Sequence, residues 1–150
     1  MAKVVAVSSS KTKGVRKENI GQAVLKNGYG LEGDAHADSG WHRQVSLLAI
    51  ESIEKARRMG YDVHPGDFAE NITSQGIELC SLPIGTRLNI GAEIVLEISQ
   101  IGKECHTGCA IFKQTGKCIM PKEGVFAKVI QGGVINTGDD IVVQPKYSCC

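Results

Sequence analysis

Gly85-Thr-Arg-Leu-Asn-Ile-Gly91 and the run behind it, Glu93-Ile-Val-Leu-Glu-Ile-Ser-Gln-Ile101, decide the class of fold. Apolar and polar residues alternate through both. Successive side chains of a strand point to opposite faces, so a period of two places Ile94, Leu96 and Ile98 on one face of a half-buried strand. Asn89-Ile-Gly-Ala92 links the two runs as a short turn. Upstream, Lys3–Val7 reads as a buried strand ended by Ser8-Ser-Ser10. Downstream, Val134 and Ile141–Val143 flank the turn Asn136-Thr-Gly-Asp-Asp140, so the chain closes on strands. Many short strands with few helices predict a mainly β protein, a barrel or a sandwich. A closed barrel would also remove exposed sheet edges.

Two segments read as helix. Ser46–Met59 has a capping serine, an inner face of Leu47, Ile50 and Ile53, and Gly60 to end it. Glu51–Lys55 and Glu54–Arg58 stand four residues apart on its exposed side, where opposite charges support a helix. Glu123–Gln131 reads as a shorter helix through Val125, Phe126, Val129 and Ile130, ended by Gly132-Gly133. Between them, Asp62-Val-His-Pro-Gly-Asp-Phe-Ala-Glu-Asn-Ile-Thr73 is a polar bend leading into a strand. His64 precedes a proline, which favours extended loop geometry there.

With 150 residues the chain is long enough for one domain with a real core, and residues 145–150 read as a flexible tail. A net charge of +1 and 5% aromatic residues supply neither the phosphate affinity nor the stacking platform of a nucleic-acid binder. No apolar run approaches the roughly 20 residues of a membrane helix. The opening segment has too short an apolar part for a signal peptide. The expectation is therefore a cytoplasmic protein whose six cysteines are reduced thiols, with neither nucleic acid nor membrane as partner.

The chemistry concentrates in Ile101-Gly-Lys-Glu-Cys-His-Thr-Gly-Cys-Ala-Ile-Phe-Lys-Gln-Thr-Gly116. A thiol reacts and binds metal as thiolate, which neighbouring cations or a helix N-terminus favour. Cys109 has Lys103, His106 and Lys113 nearby in sequence, and Gly108 permits a tight turn before it. Cys109 is thus read as a reactive thiolate or metal ligand, against the competing reading of a small buried cysteine. Cys80, beside Leu79 and Leu82, reads as core; Cys118 reads as packing or a resolving thiol; Cys149-Cys150 is a loose end.

Two polar stretches supply further candidates. Lys11-Thr-Lys-Gly-Val-Arg-Lys17 carries four cations around one glycine: a solvated loop, or a rim where Lys13, Arg16 or Lys17 meets a phosphate. Gly28–Gln44 is too long and polar for a hairpin turn, and long loops in compact domains are often functional. Its Asp34, His36, Asp38 and His42 match no standard zinc spacing. Asp34 is read equally as capping a turn through its own backbone, and His42 or Arg43 as lining a pocket.

Three of these stretches together resemble the MOSC family, named for the C-terminal domain of molybdenum cofactor sulfurase. They are Gly30-Leu-Glu-Gly-Asp-Ala-His36 with the Arg43 segment; Gly66-Asp-Phe-Ala-Glu-Asn-Ile-Thr73 leading to Leu82-Pro-Ile-Gly-Thr-Arg-Leu-Asn-Ile-Gly91; and the cysteine stretch. The resemblance implies a distorted closed β-barrel with a few short helices, in a stand-alone member without the N-terminal domain of larger relatives. It implies that Cys109 corresponds to the family cysteine that binds the molybdenum of the pterin cofactor or carries sulfane sulfur. Family members often carry Arg-Cys or Pro-Cys there, where this chain has Gly108-Cys109; Cys105, beside His106, competes for the role. By the same analogy Lys13, Lys17, His42 and Arg43 would line an anionic pterin-phosphate pocket. Both cargoes are soft partners for a thiolate, and a persulfide needs the same reactive thiolate.

The expected function is therefore handling of molybdenum cofactor or persulfide sulfur: cofactor metabolism, sulfur transfer, or reduction of N-hydroxylated compounds. Cofactor-biosynthesis enzymes or a cysteine desulfurase would be partners. Two alternatives stand beside it. Cys105, His106, Cys109 and Cys118 could wrap zinc or iron in a non-enzymatic module, or the chain could carry cofactor without chemistry of its own. For Glu70 and Asn71 the local reading is a structural corner, with Asn71 bonding nearby backbone.

Overall fold

The computed structural model describes residues 2–11, 17–35, 37–40, 44–68, 70–101 and 124–144. Strand β1, Lys3–Ser9, pairs antiparallel with β6, Ile72–Gln75, placing Val7 opposite Ile72. A bulge between Val4 and Ala6 bends β1 as it passes. The alternating runs are β7, Arg87–Ile90, and β8, Ile94–Ile101, paired as a hairpin with Leu88 opposite Leu96. Ile94, Leu96 and Ile98 are all buried, as their period requires.

β5, Val45–Ala49, and β9, Val125–Gln131, complete the wall. With β2, Glu18–Asn19, and β11, Ile141–Val143, the sheet runs β11-β7-β8-β9-β5-β6-β1-β2. It curls until its two sides meet. Ile141 N donates to Ala2 O at 2.9 Å, Val4 N to Asp139 O at 2.8 Å and Gly138 N to Val4 O at 2.7 Å, so β1 pairs with the lead-in to β11. The result is a distorted barrel. A second sheet, β10-β3-β4, is built from Gly133–Asn136, Gln22–Lys26 and Gly30–Leu31, and adds Ile135, Leu25 and Leu31 to the barrel core.

Helix α1, Ile50–Arg58, begins four residues later than the sequence predicts. Ser46–Ala49 belongs to β5 instead, all five residues of which are buried. Leu47 and Val45 face the barrel core, whereas Leu48 joins Ile53, Ala56, Val63, Phe68 and Phe126 beneath the helix. A strand covered on both faces loses its alternation and reads like the start of a helix. The second predicted helix is also a strand: Val125–Gln131 is β9, with Val125, Ala127 and Val129 in the barrel, Phe126 under the helix and Lys128 exposed on the outer face. Because α1 lies between β5 and β6, that pair alone among the assigned strand pairs runs parallel, as a crossover connection demands.

Among the described residues no helix is long and apolar enough to cross a membrane. Cys80, expected in the core, is exposed on a single 3-10 turn, Leu79–Ser81; its neighbour Leu79 takes the buried position.

Candidate functional site

Where β1 ends and β5 and β6 begin, the sequence supplies polar residues at positions that the fold buries. Asn71 is fully buried. Its Oδ1 accepts from Ser46 N at 3.0 Å and Ser46 Oγ at 3.2 Å, its backbone N–H meets Ser46 Oγ at 3.0 Å, and its Nδ2 donates to Ser8 O at 3.1 Å. One amide thus joins three neighbouring strands and satisfies backbone groups that the sheet ladder leaves over. Asn71 is thus a structural corner, but its side-chain partners lie 25 and 63 residues away in sequence rather than in the local backbone.

Glu70 is buried beside it and accepts from Gly66 N at 2.8 Å, Thr73 Oγ1 at 2.8 Å and Phe68 N at 3.3 Å. Burial dominates these bonds and pushes its carboxyl up to about 7. Gly66 is held at φ +93°, and its carbonyl accepts from Lys17 N at 2.7 Å. The bend 64–70 is therefore pinned to the end of the basic loop.

Lys17 is the one sequence-predicted site residue among those described, and its ammonium does not face solvent. Nζ lies 2.7 Å from Asp34 Oδ1 with both side chains fully buried, and donates also to Ser10 Oγ at 3.2 Å. Asp34 Oδ1 accepts further from Ser10 N at 3.0 Å and Ser9 Oγ at 3.3 Å. Asp34 Oδ1 is thereby engaged in bonds to distant segments of the chain. Ala35 N donates to Ser10 O at 2.8 Å, so the roots of the 11–17 and 34–44 loops are bonded directly together. No spacing rule could find this pair: seventeen residues separate its members, and only the tertiary fold brings them into contact.

Lys13, His42 and Arg43, expected on the phosphate pocket, lie outside the described residues, as do Cys105, His106 and Cys109. Ile101 and Val125 flank the cysteine segment on the strands either side of it. These are Cα partners across β8 and β9, and Val125 is in turn the partner of Leu47 on β5. Among the described residues no group of three or more His, Cys, Asp or Glu side chains could hold a metal ion.

Residues 34–142 match the family model described as the MOSC domain. In fold the chain is similar to the YuaD protein of Bacillus subtilis, with a TM-score of 0.75 at 18% identity over 94% of both chains. It is similar also to YiiM from Geobacillus stearothermophilus, with a TM-score of 0.72 at 17% identity over 97% of this chain and 76% of that one. YiiM from Escherichia coli gives 0.70 at 20% identity, over 99% and 72% respectively. At such identities the likeness is one of fold. No curated protein matches the chain.

Proposed function

The chain belongs to the MOSC domain family, which is associated in general with molybdenum cofactor, and from that membership we propose that it binds this cofactor through the thiolate of Cys109. The observation that carries this reading is the bonding of Ser10 to Asp34 and Ala35, which roots the two cation-bearing loops side by side. The donor set suits the group. A thiolate is a soft donor fit for molybdenum, and the cofactor's phosphate calls for cations. Lys17 already answers to Asp34, so the charge offered to phosphate falls to Lys13, His42 and Arg43. Cys105 and His106 flank the ligand in sequence. Bound there, the cofactor supplies a molybdenum centre suited to reducing N-hydroxylated compounds. The Glu70–Asn71 corner orients the loop roots and takes no part in the chemistry. A cofactor-biosynthesis enzyme is the natural donor.

The test loads wild type, Cys109→Ser and Cys105→Ser with molybdenum cofactor, followed by gel filtration and metal analysis. Retention by wild type and Cys105→Ser, with loss in Cys109→Ser, is expected. Loss only in Cys105→Ser moves the ligand to that thiol. No retention by any of the three overturns the cofactor reading and turns attention to persulfide transferred from a cysteine desulfurase.

A further inference from the structure

A cleft of about 480 Å³ lies between one flank of α1 and the segment that follows β6. Its lining includes no residue of the cysteine stretch or the basic loops, Ala49 standing at the far end of β5 from the 34–44 loop, and its argument stands apart from the cofactor reading. Ala49, Ile77 and Leu79 give it apolar lining, and its size is that of a small-molecule site. The two walls are tied together: Glu51 Oε2 on the helix accepts from Gly76 N on the opposite strand end at 3.1 Å. That bond commits the Glu51 carboxylate to the frame of the cleft.

The remaining lining charges fall on opposite walls. Lys55 and Arg58 stand one turn apart on the helix, so their side chains share a face; Glu78 stands across from them. The Glu54–Arg58 pairing expected from the sequence does not form, and neither Arg58 nor Glu78 pairs through its side chain with another described residue. A cation on one wall and a carboxylate on the other, above an apolar floor, complement a molecule carrying both charges. We propose that this cleft binds a small zwitterion of the α-amino-acid class with an apolar side chain. The ligand's carboxylate meets Arg58, its ammonium meets Glu78, and its side chain covers the partly buried Ile77. Charge-assisted hydrogen bonds at each end fix its orientation.

The exposed thiol of Cys80, which also lines the cleft, provides the readout. Alkylation of Cys80 by iodoacetamide, followed by mass spectrometry of its peptide, is measured against increasing norleucine, with hexanoate and pentylamine as single-charge controls. Saturable protection by norleucine is expected, with each control at least tenfold weaker. Arg58→Ala and Glu78→Ala, both at exposed positions, should each weaken norleucine protection about tenfold. Absence of protection overturns the site. Protection unchanged in either variant, or matched by either control, overturns the zwitterion assignment.

Discussion

Gly66 packs against the carbonyl of Lys17 so closely that a side chain at position 66 would collide with it. The contact joins the bend after α1 to the end of the basic loop, and the amide of Lys17 returns a hydrogen bond to Gly66 O. Both sides of the joint are backbone and cannot rotate away.

Gly66→Ala should therefore cost more than conformational strain alone. The control is Gly85→Ala, at nearly the same dihedral, φ +94° against +93°, but with open space where the methyl would go. We expect about 1–2 kcal/mol for Gly85→Ala, the usual penalty for a left-handed backbone, and about 2 kcal/mol beyond that for Gly66→Ala through overpacking. Urea midpoints at constant m-value give the difference. Equal losses would mean that the joint yields freely.

Glu70 should make the protein less stable as pH rises. Its folded pKa, about 7, lies above the unfolded value of 4.5, so the native state holds more protons between those limits. The Glu70 contribution is fully present below pH 4.5, declines as pH rises, and is gone above about 7. A shift of this size corresponds to about 3 kcal/mol. In Glu70→Gln the part of the slope between pH 5 and 7 should disappear, even if the variant is less stable overall for want of an acceptor for Gly66 N. An unchanged slope in urea titrations at pH 5, 6 and 7 would assign the dependence to other groups.

The Lys17–Asp34 pair should be expensive to break on one side and cheaper to replace whole. Lys17→Met leaves the Asp34 carboxylate buried without its counter-charge, and Asp34→Asn leaves the ammonium beside a neutral amide. Each single change should cost about 3–5 kcal/mol. The double variant Lys17→Met/Asp34→Asn should cost clearly less than the two losses added. Chemical denaturation of all four proteins completes the cycle; additive losses would show that the two charges do not act as a pair.

Period and turn chemistry were legible without a structure wherever one side of an element faces water. β8 kept its alternation because Val95 and Glu97 are only partly buried while Ile94, Leu96 and Ile98 fill the core. The Asn136–Asp140 turn was equally plain, since Asn136 N closes it on Asp139 Oδ2 at 2.9 Å. That Asn71 forms a corner was legible from its residue type, but its partners were not: it bonds Ser46 and Ser8, 25 and 63 residues away, rather than local backbone. β5 was misread as helix for the opposite reason: with a barrel on one side and α1 on the other, no polar face remained to mark a period of two. In β9 only Lys128 is exposed between Phe126 and Ile130 on the outer face, too little polarity to mark that period.

The sequence by itself determined the strand-rich class, the family likeness and the residue types available for thiolate and phosphate chemistry, because these rest on composition, short-range pattern and motif. The tertiary structure decided what those residues face. It closed the sheet through Ala2 and Ile141, turned Cys80 outward, and committed the Lys17 charge to Asp34. Those outcomes depend on which distant segments share a buried space, and in that space an unpaired charge or an unmet backbone group costs more than the local pattern can register.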